Sequence, residues 1–149
     1  MKGQLVIGAL ALLVPQAAFA SLGGSAATVS GDQVRMNVRA HTMAPAGSGT
    51  MHTLSLANGG DIREYANAAG QIYAVRWTGP GKPDLAALLG EHYAALQTDN
   101  PIAARHGVRR APSVNRSDLR IVTGGRTGAF WGYAWLPRNV PAGFDPASL

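Results

Sequence analysis

The chain has 149 residues, with thirteen lysines and arginines against eight acidic residues and no cysteine. The lack of cysteine excludes disulfides, thiolate chemistry, cysteine-based zinc sites and a lipid-modified cysteine behind a signal. A chain of this length can build one domain with a real core, and it is too short for two.

The first twenty residues are predicted to be a cleavable secretory signal peptide. Lys2 supplies the positive start, and residues 5–14 form an uninterrupted apolar run. Ala18 and Ala20 place small side chains ahead of a cleavage point between Ala20 and Ser21. Because the apolar run is far shorter than the roughly 20 residues that cross a bilayer, an uncleaved anchor is the weaker alternative. The predicted mature chain starts at Ser21, carries no transmembrane segment, and is periplasmic or secreted.

The mature chain is predicted to begin with a flexible leader at 21–32, which is small and polar. Residues 33–149 are predicted to form a single α+β domain with an extended C-terminal tail. Alternating apolar and polar residues over 33–41 predict a strand with one exposed face. The proline and glycines of 42–49 predict a loop.

An antiparallel meander is predicted next, from strands at 50–57, 61–67 and 71–78 with short turns between them. Asp84 is predicted to cap a helix that runs to about Leu96, because leucines follow at helical spacing. A second short helix is predicted over 100–107, followed by a basic, irregular stretch. Strands at 118–123 and 129–136 predict a C-terminal β-hairpin around a glycine-rich loop. The predicted fold is therefore α+β: an antiparallel meander with one main helix packed on a face and a C-terminal hairpin.

Three neighbouring segments carry a distinctive pattern. They are Arg63-Glu64-Tyr65, the stretch Tyr73-Ala74-Val75-Arg76-Trp77-Thr78-Gly79-Pro80, and Pro83-Asp84-Leu85 followed by Leu88-Leu89-Gly90. With these segments the chain resembles domain of unknown function 2844, a family of small exported bacterial proteins. The resemblance implies an envelope or secreted location, and it implies no known activity, cofactor or catalytic residue.

Arginines are concentrated late in the chain. Six of them lie between positions 105 and 126, where Asp118 is the single acid. The guanidinium group binds phosphate and carboxylate in bidentate fashion. We predict that Arg109, Arg110 and Arg116 form a binding surface for an anionic envelope lipid or glycan, with a solvated basic loop as the alternative. Outside the cytoplasm no nucleic-acid partner is expected.

The last predicted strand has one aromatic face. Trp131, Tyr133 and Trp135 alternate with Gly132 and Ala134. The aromatic face is predicted to be a stacking platform for sugar rings or a partner protein. Packing against the tail or another sheet layer is the alternative.

Catalytic and metal-binding patterns are weak throughout. Glu64 and Arg76 are predicted to pair across strands on the exposed face, which is favoured over a catalytic carboxylate. His41 and His52 bracket a loop and would face one another if their strands pair, but no third ligand follows at metal-binding spacing. Ser48 lacks the nucleophile-elbow pattern. We expect no catalytic residue, no metal and no cofactor.

These observations predict an uncharacterised exported protein that acts as a non-enzymatic binding or envelope-associated module. A small periplasmic hydrolase without a recognisable motif is one alternative. A structural or matrix protein is the other.

Overall fold

The computed structural model describes residues 21–101 and 111–149. These residues form seven strands: β1 (Val38–Ala46), β2 (Gly49–Leu56), β3 (Asp61–Ala66), β4 (Ile72–Gly79), β5 (Ser113–Asn115), β6 (Arg120–Arg126) and β7 (Ala129–Trp135). They also form three short α-helices: α1 (Val29–Arg35), α2 (Leu85–Leu89) and α3 (Tyr93–Asp99). The strands make one sheet in the order β1-β2-β3-β4-β7-β6-β5, and every neighbouring pair is antiparallel. The α+β class is confirmed.

Strand register divides the sheet into two faces, because directly paired residues point to the same side. The core face carries two buried rows, listed in strand order: Leu54, Ile62, Trp77 and Gly132; then His52, Glu64, Val75, Ala134, Ile121 and Val114. The open face carries the residues between them: Ser55, Asp61, Thr78, Trp131 and Gly124; Thr53, Arg63, Arg76, Tyr133 and Val122; Met51, Tyr65, Ala74, Trp135 and Arg120. Leu88, Leu89 and Leu96 of the helices are buried in one cluster with core-face side chains. The helices therefore cover the core face, whereas the open face has no helix of the described residues on it and is partly exposed, with Ala74 buried.

The N-terminal segment 21–32 differs from the predicted flexible leader. Leu22 is only 1% exposed, and its N–H donates to the carbonyl of Leu88 at 3.0 Å. The N–H of Gly23 donates to the carbonyl of Ile72 at 2.8 Å. Small polar residues are typical of flexible chain, but burial of an apolar side chain and satisfied backbone groups fix this segment to the core.

The boundaries predicted for a strand over 33–41 and a loop over 42–49 are wrong. The helix α1 occupies the start of this region, and Asn37 then adopts φ 52° to turn the chain into β1. Asparagine is among the few non-glycine residues that tolerate this conformation. β1 continues to Ala46, where a two-residue turn leads to β2. Val34, which the predicted strand would have buried, is 84% exposed.

The helix predicted from Asp84 to Leu96 is divided at Gly90. Asp84 caps α2 as predicted, since its Oδ1 accepts the N–H of Ala87 at 3.0 Å. Gly90 has φ 55°, and a Cβ at this position would collide with the side chain of Ser21. A 3-10 turn then connects α2 to α3. The close approach of the N-terminal segment therefore requires the glycine that ends the first helix.

The C-terminal half contains one short strand that was not predicted from the sequence. β5 lies in a stretch predicted to be irregular, and its Val114 is buried and pairs with Ile121. The C-terminal hairpin is present as β6 and β7. Its strands extend until Arg126 pairs with Ala129, so that a two-residue turn replaces the predicted loop.

The C-terminal tail packs beside the start of β4. The N–H of Leu136 donates to the carbonyl of Tyr73 at 2.9 Å, and the amide of Asn139 donates to Gln71 Oε1 at 2.8 Å. The ring of Phe144 meets the ring of Tyr73 edge-on, with centroids 5.3 Å apart. These contacts hold the tail at the end of β4 that lies away from Trp131.

Candidate functional site

Three aromatic rings form a row on the open face of β7: Trp131, Tyr133 and Trp135, called the aromatic row below. The ring centroids are 6.2 Å apart for the first pair and 5.9 Å for the second, with interplanar angles of 20° and 26°. The intervening Gly132 and Ala134 are buried on the core face. Trp131 is 44% exposed, and the other two rings are half-buried. The structure thus places the three rings side by side on one face of β7, as the alternation predicted, and leaves Trp131 exposed.

Arginines border the aromatic row on both sides. Arg76 of β4 lies directly opposite Tyr133, and Arg120 of β6 lies opposite Trp135. Arg63 of β3 lies opposite Arg76 in the next strand pair. Within residues 21–101 and 111–149, no carboxylate forms a salt bridge with any of these three arginines. Two like charges directly opposite each other destabilise a sheet unless an anion is near.

Glu64 is not on this face, so the predicted ion pair between Glu64 and Arg76 is wrong. Glu64 lies between His52 and Val75 in the core-face row and has 0% exposure. The register places Arg63, one residue earlier, opposite Arg76. A shift of one residue moves a side chain to the other face of a strand. The open face therefore has the arginines without the carboxylate that the sequence prediction gave it.

The predicted basic surface is only partly within the described residues. Arg109 and Arg110 lie outside them, as does nearly all of the predicted second helix over 100–107. Arg116 follows β5, and its guanidinium contacts Asp99 in bidentate fashion: Nη2 to Oδ1 at 2.6 Å and Nε to Oδ2 at 3.0 Å. These hydrogen bonds lower the pKa of Asp99. Arg116 thus joins β5 to the end of α3.

Two histidines meet beneath α1. Gln33 Nε2 lies 2.8 Å from His41 Nδ1, and His41 Nε2 lies 3.1 Å from His52 Nδ1. Because an amide nitrogen can only donate, His41 Nδ1 accepts and its Nε2–H donates to His52. Burial, and secondarily the nearby His41, lower the pKa of His52. Among the described residues no three ligand-type side chains come together as a metal site.

The sequence prediction named the aromatic row but missed Arg63, Arg76 and Tyr65 as members of the same surface. The sequence does indicate which face these three residues share. The turns between β2, β3 and β4 are short, so the alternation of side chains along one strand can be continued into the next and assigns each residue to a face. The register of β7 beside β4 could not be obtained this way, since residues 80–128 lie between these two strands. That pairing is what brings Arg76 next to Tyr133.

The chain matches a known protein family. The family described as "Protein of unknown function (DUF2844)" matches residues 18–149, and so confirms the resemblance seen in the sequence. No curated protein and no solved structure matches the chain significantly. Among the described residues, no helix has the length and apolar character needed to cross a membrane.

Proposed function

The chain belongs to the DUF2844 family of proteins of unknown function, and we propose that it is an exported, non-enzymatic module whose open sheet face binds an acidic polysaccharide. The observation that carries this proposal is the aromatic row between Arg76 on one side and Arg120 on the other. Aromatic faces bind the apolar faces of sugar rings, and guanidinium groups bind carboxylates.

The charge of the open face favours an anionic ligand. Arg63 and Arg76 are directly paired, and Arg120 lies on the same face two strands beyond Arg76. None of the three forms a salt bridge among the described residues. Asp61, an acid of the same face, accepts a hydrogen bond from Ser55 at 2.7 Å. A ligand carboxylate would relieve the repulsion between the paired Arg63 and Arg76 while forming charge-assisted hydrogen bonds.

The shape and polarity of the face favour a polysaccharide over a bilayer. Thr53, Ser55 and Thr78 place hydroxyl groups on this face, which can bond to sugar hydroxyls. Among the described residues three large apolar side chains are exposed, and of these Trp131 alone is on the open face. Insertion into lipid needs a larger exposed apolar surface. Rings about 6 Å apart along a strand suit an extended chain of sugars instead.

The proposal is tested by calorimetric titration with alginate oligosaccharide, which is a polyuronate, and with neutral dextran as the comparison. Alginate should bind and dextran should not, and the alginate affinity should fall as salt shortens the Debye length. The double variant R76Q/R120Q should weaken binding about tenfold or more, since each charge-assisted hydrogen bond contributes about 1.5–3 kcal/mol.

The matched control is R39Q, which removes one exposed positive charge on β1 at the far edge of the sheet. It should bind alginate like the unaltered protein. Equal binding by R76Q/R120Q and R39Q would contradict the proposal. Stronger binding to single-stranded DNA than to alginate would point to a nucleic-acid ligand, and would contradict it as well.

A further inference from the structure

A cleft of about 670 Å³ opens beside the tip of the β6–β7 hairpin, away from the aromatic row except at one residue. Apolar side chains of its lining come from the sheet, the helical layer and the segment before β5: Trp77, Phe130, Leu85, Leu96 and Pro112. Thr123, Thr127 and glycine backbone add polar groups to the same lining. Cavities of this size with several apolar side chains and a few polar groups are typical of small-molecule sites. Trp131 lies at its edge and is the one residue that the cleft shares with the aromatic row.

The mouth of this cleft is positively charged. Lys82 and Arg126 both line it and are exposed. The ammonium group of Lys82 lies 5.2 Å from the centroid of the Phe130 ring, so the charge sits at the border of the apolar wall. No aspartate or glutamate is among the described residues that line the cleft. A ligand that fits this arrangement has an apolar body and an anionic end.

We propose that the cleft is a second binding site, which holds one acyl chain of an anionic amphiphile with its charged head between Lys82 and Arg126. Burial of methylene groups supplies the affinity, because each group removed from water favours binding. The two cations determine the preference for an anionic head. Most of its wall residues lie on the core face and in the helices, so it is a different site from the polysaccharide site, with which it shares Trp131 and the open-face Gly124.

The test uses purified protein and dodecanoate below its micelle concentration, measured by calorimetry. Dodecyltrimethylammonium has the same chain with a cationic head, and acetate has the head without the chain. Dodecanoate should bind about tenfold or more tightly than either comparison compound. It alone has both an alkyl chain to contact the apolar side chains of the cleft and an anionic head to contact Lys82 and Arg126. The double variant K82Q/R126Q should abolish the preference for the anionic head while the chain still binds. Both altered side chains are exposed, so this variant should keep its fold.

A wall variant completes the test. Leu85→Glu places a carboxylate on the half-buried wall and should weaken dodecanoate binding about tenfold or more, while Ala94→Glu makes the same charge change on α3 outside the cleft and should not. Alginate binding should be unaffected by Leu85→Glu, which separates this site from the polysaccharide site. Failure of the unaltered protein to bind dodecanoate would overturn the proposal. Equal binding of dodecanoate and dodecyltrimethylammonium would overturn it too.

Discussion

Two tryptophans of this protein use the same packing arrangement on opposite faces of the sheet. Trp77 of β4 covers Gly132 of β7 on the core face, and Trp131 of β7 covers Gly124 of β6 on the open face. In each pair a Cβ on the glycine would collide with the indole ring. Trp77 is 3% exposed and Trp131 is 44% exposed. A ring laid flat over a glycine is thus part of the core in one case and part of a surface in the other.

The difference between the two rings comes from what covers each face. The helices bury Trp77 in a cluster with Leu88 and Leu89. No helix in the described part of the chain covers Trp131, so its apolar area stays in contact with water. An exposed aromatic ring contributes little to folding, and it is suited to binding a ligand.

The largest expected effect is a difference between the two tryptophans in how much each contributes to the free energy of unfolding. Trp77→Ala should lower the free energy of unfolding by about 3–5 kcal/mol, because it removes a buried aromatic side chain and leaves a cavity. Trp131→Ala should lower it by about 1 kcal/mol or less. Denaturant unfolding followed by circular dichroism measures both. Equal losses would mean that Trp131 belongs to the core.

The next largest effect on the free energy of unfolding is expected from replacing the two glycines beneath the tryptophan rings. Gly132→Ala should cost about 1–3 kcal/mol, because the buried Trp77 ring has no room to move away from the new Cβ. Gly124→Ala should be close to neutral, because the exposed Trp131 ring can move and alanine is favoured over glycine in a strand. Thermal unfolding of the two variants distinguishes these outcomes. A larger cost at Gly124 would contradict the assignment of the faces.

A smaller, pH-dependent effect is expected from His52 on the core face. Its pKa in the folded state is lowered from the usual 6.5, so the unfolded chain binds the proton more readily. The free energy of unfolding should therefore fall as pH decreases from above 6.5, and this contribution should level off below the folded pKa. His52→Gln should reduce the decrease in the free energy of unfolding between high and low pH. The control variant His92→Gln should leave this decrease unchanged. Unfolding midpoints from pH 8 to pH 5 provide the measurement, and an unchanged slope in His52→Gln would contradict the assignment.

The same two faces explain what the sequence could and could not predict. Short turns and alternation predicted β2, β3, β4 and the C-terminal hairpin, because these depend on local contacts. The docking of residues 21–32, the break at Gly90 and the burial of Glu64 depend on partners far along the chain. The aromatic row was predictable from one strand alone. The arginines beside it were not, because they are supplied by strands whose pairing the local pattern does not determine.

The central claim is that the open face, and not the core face, holds the polysaccharide. The chain has three tryptophans, so a proton–nitrogen correlation spectrum should show three indole N–H signals. Titration with alginate oligosaccharide should shift the signals of Trp131 and Trp135 and leave that of Trp77 in place. Shifts confined to Trp77, or no shift in any of the three signals, would contradict the account.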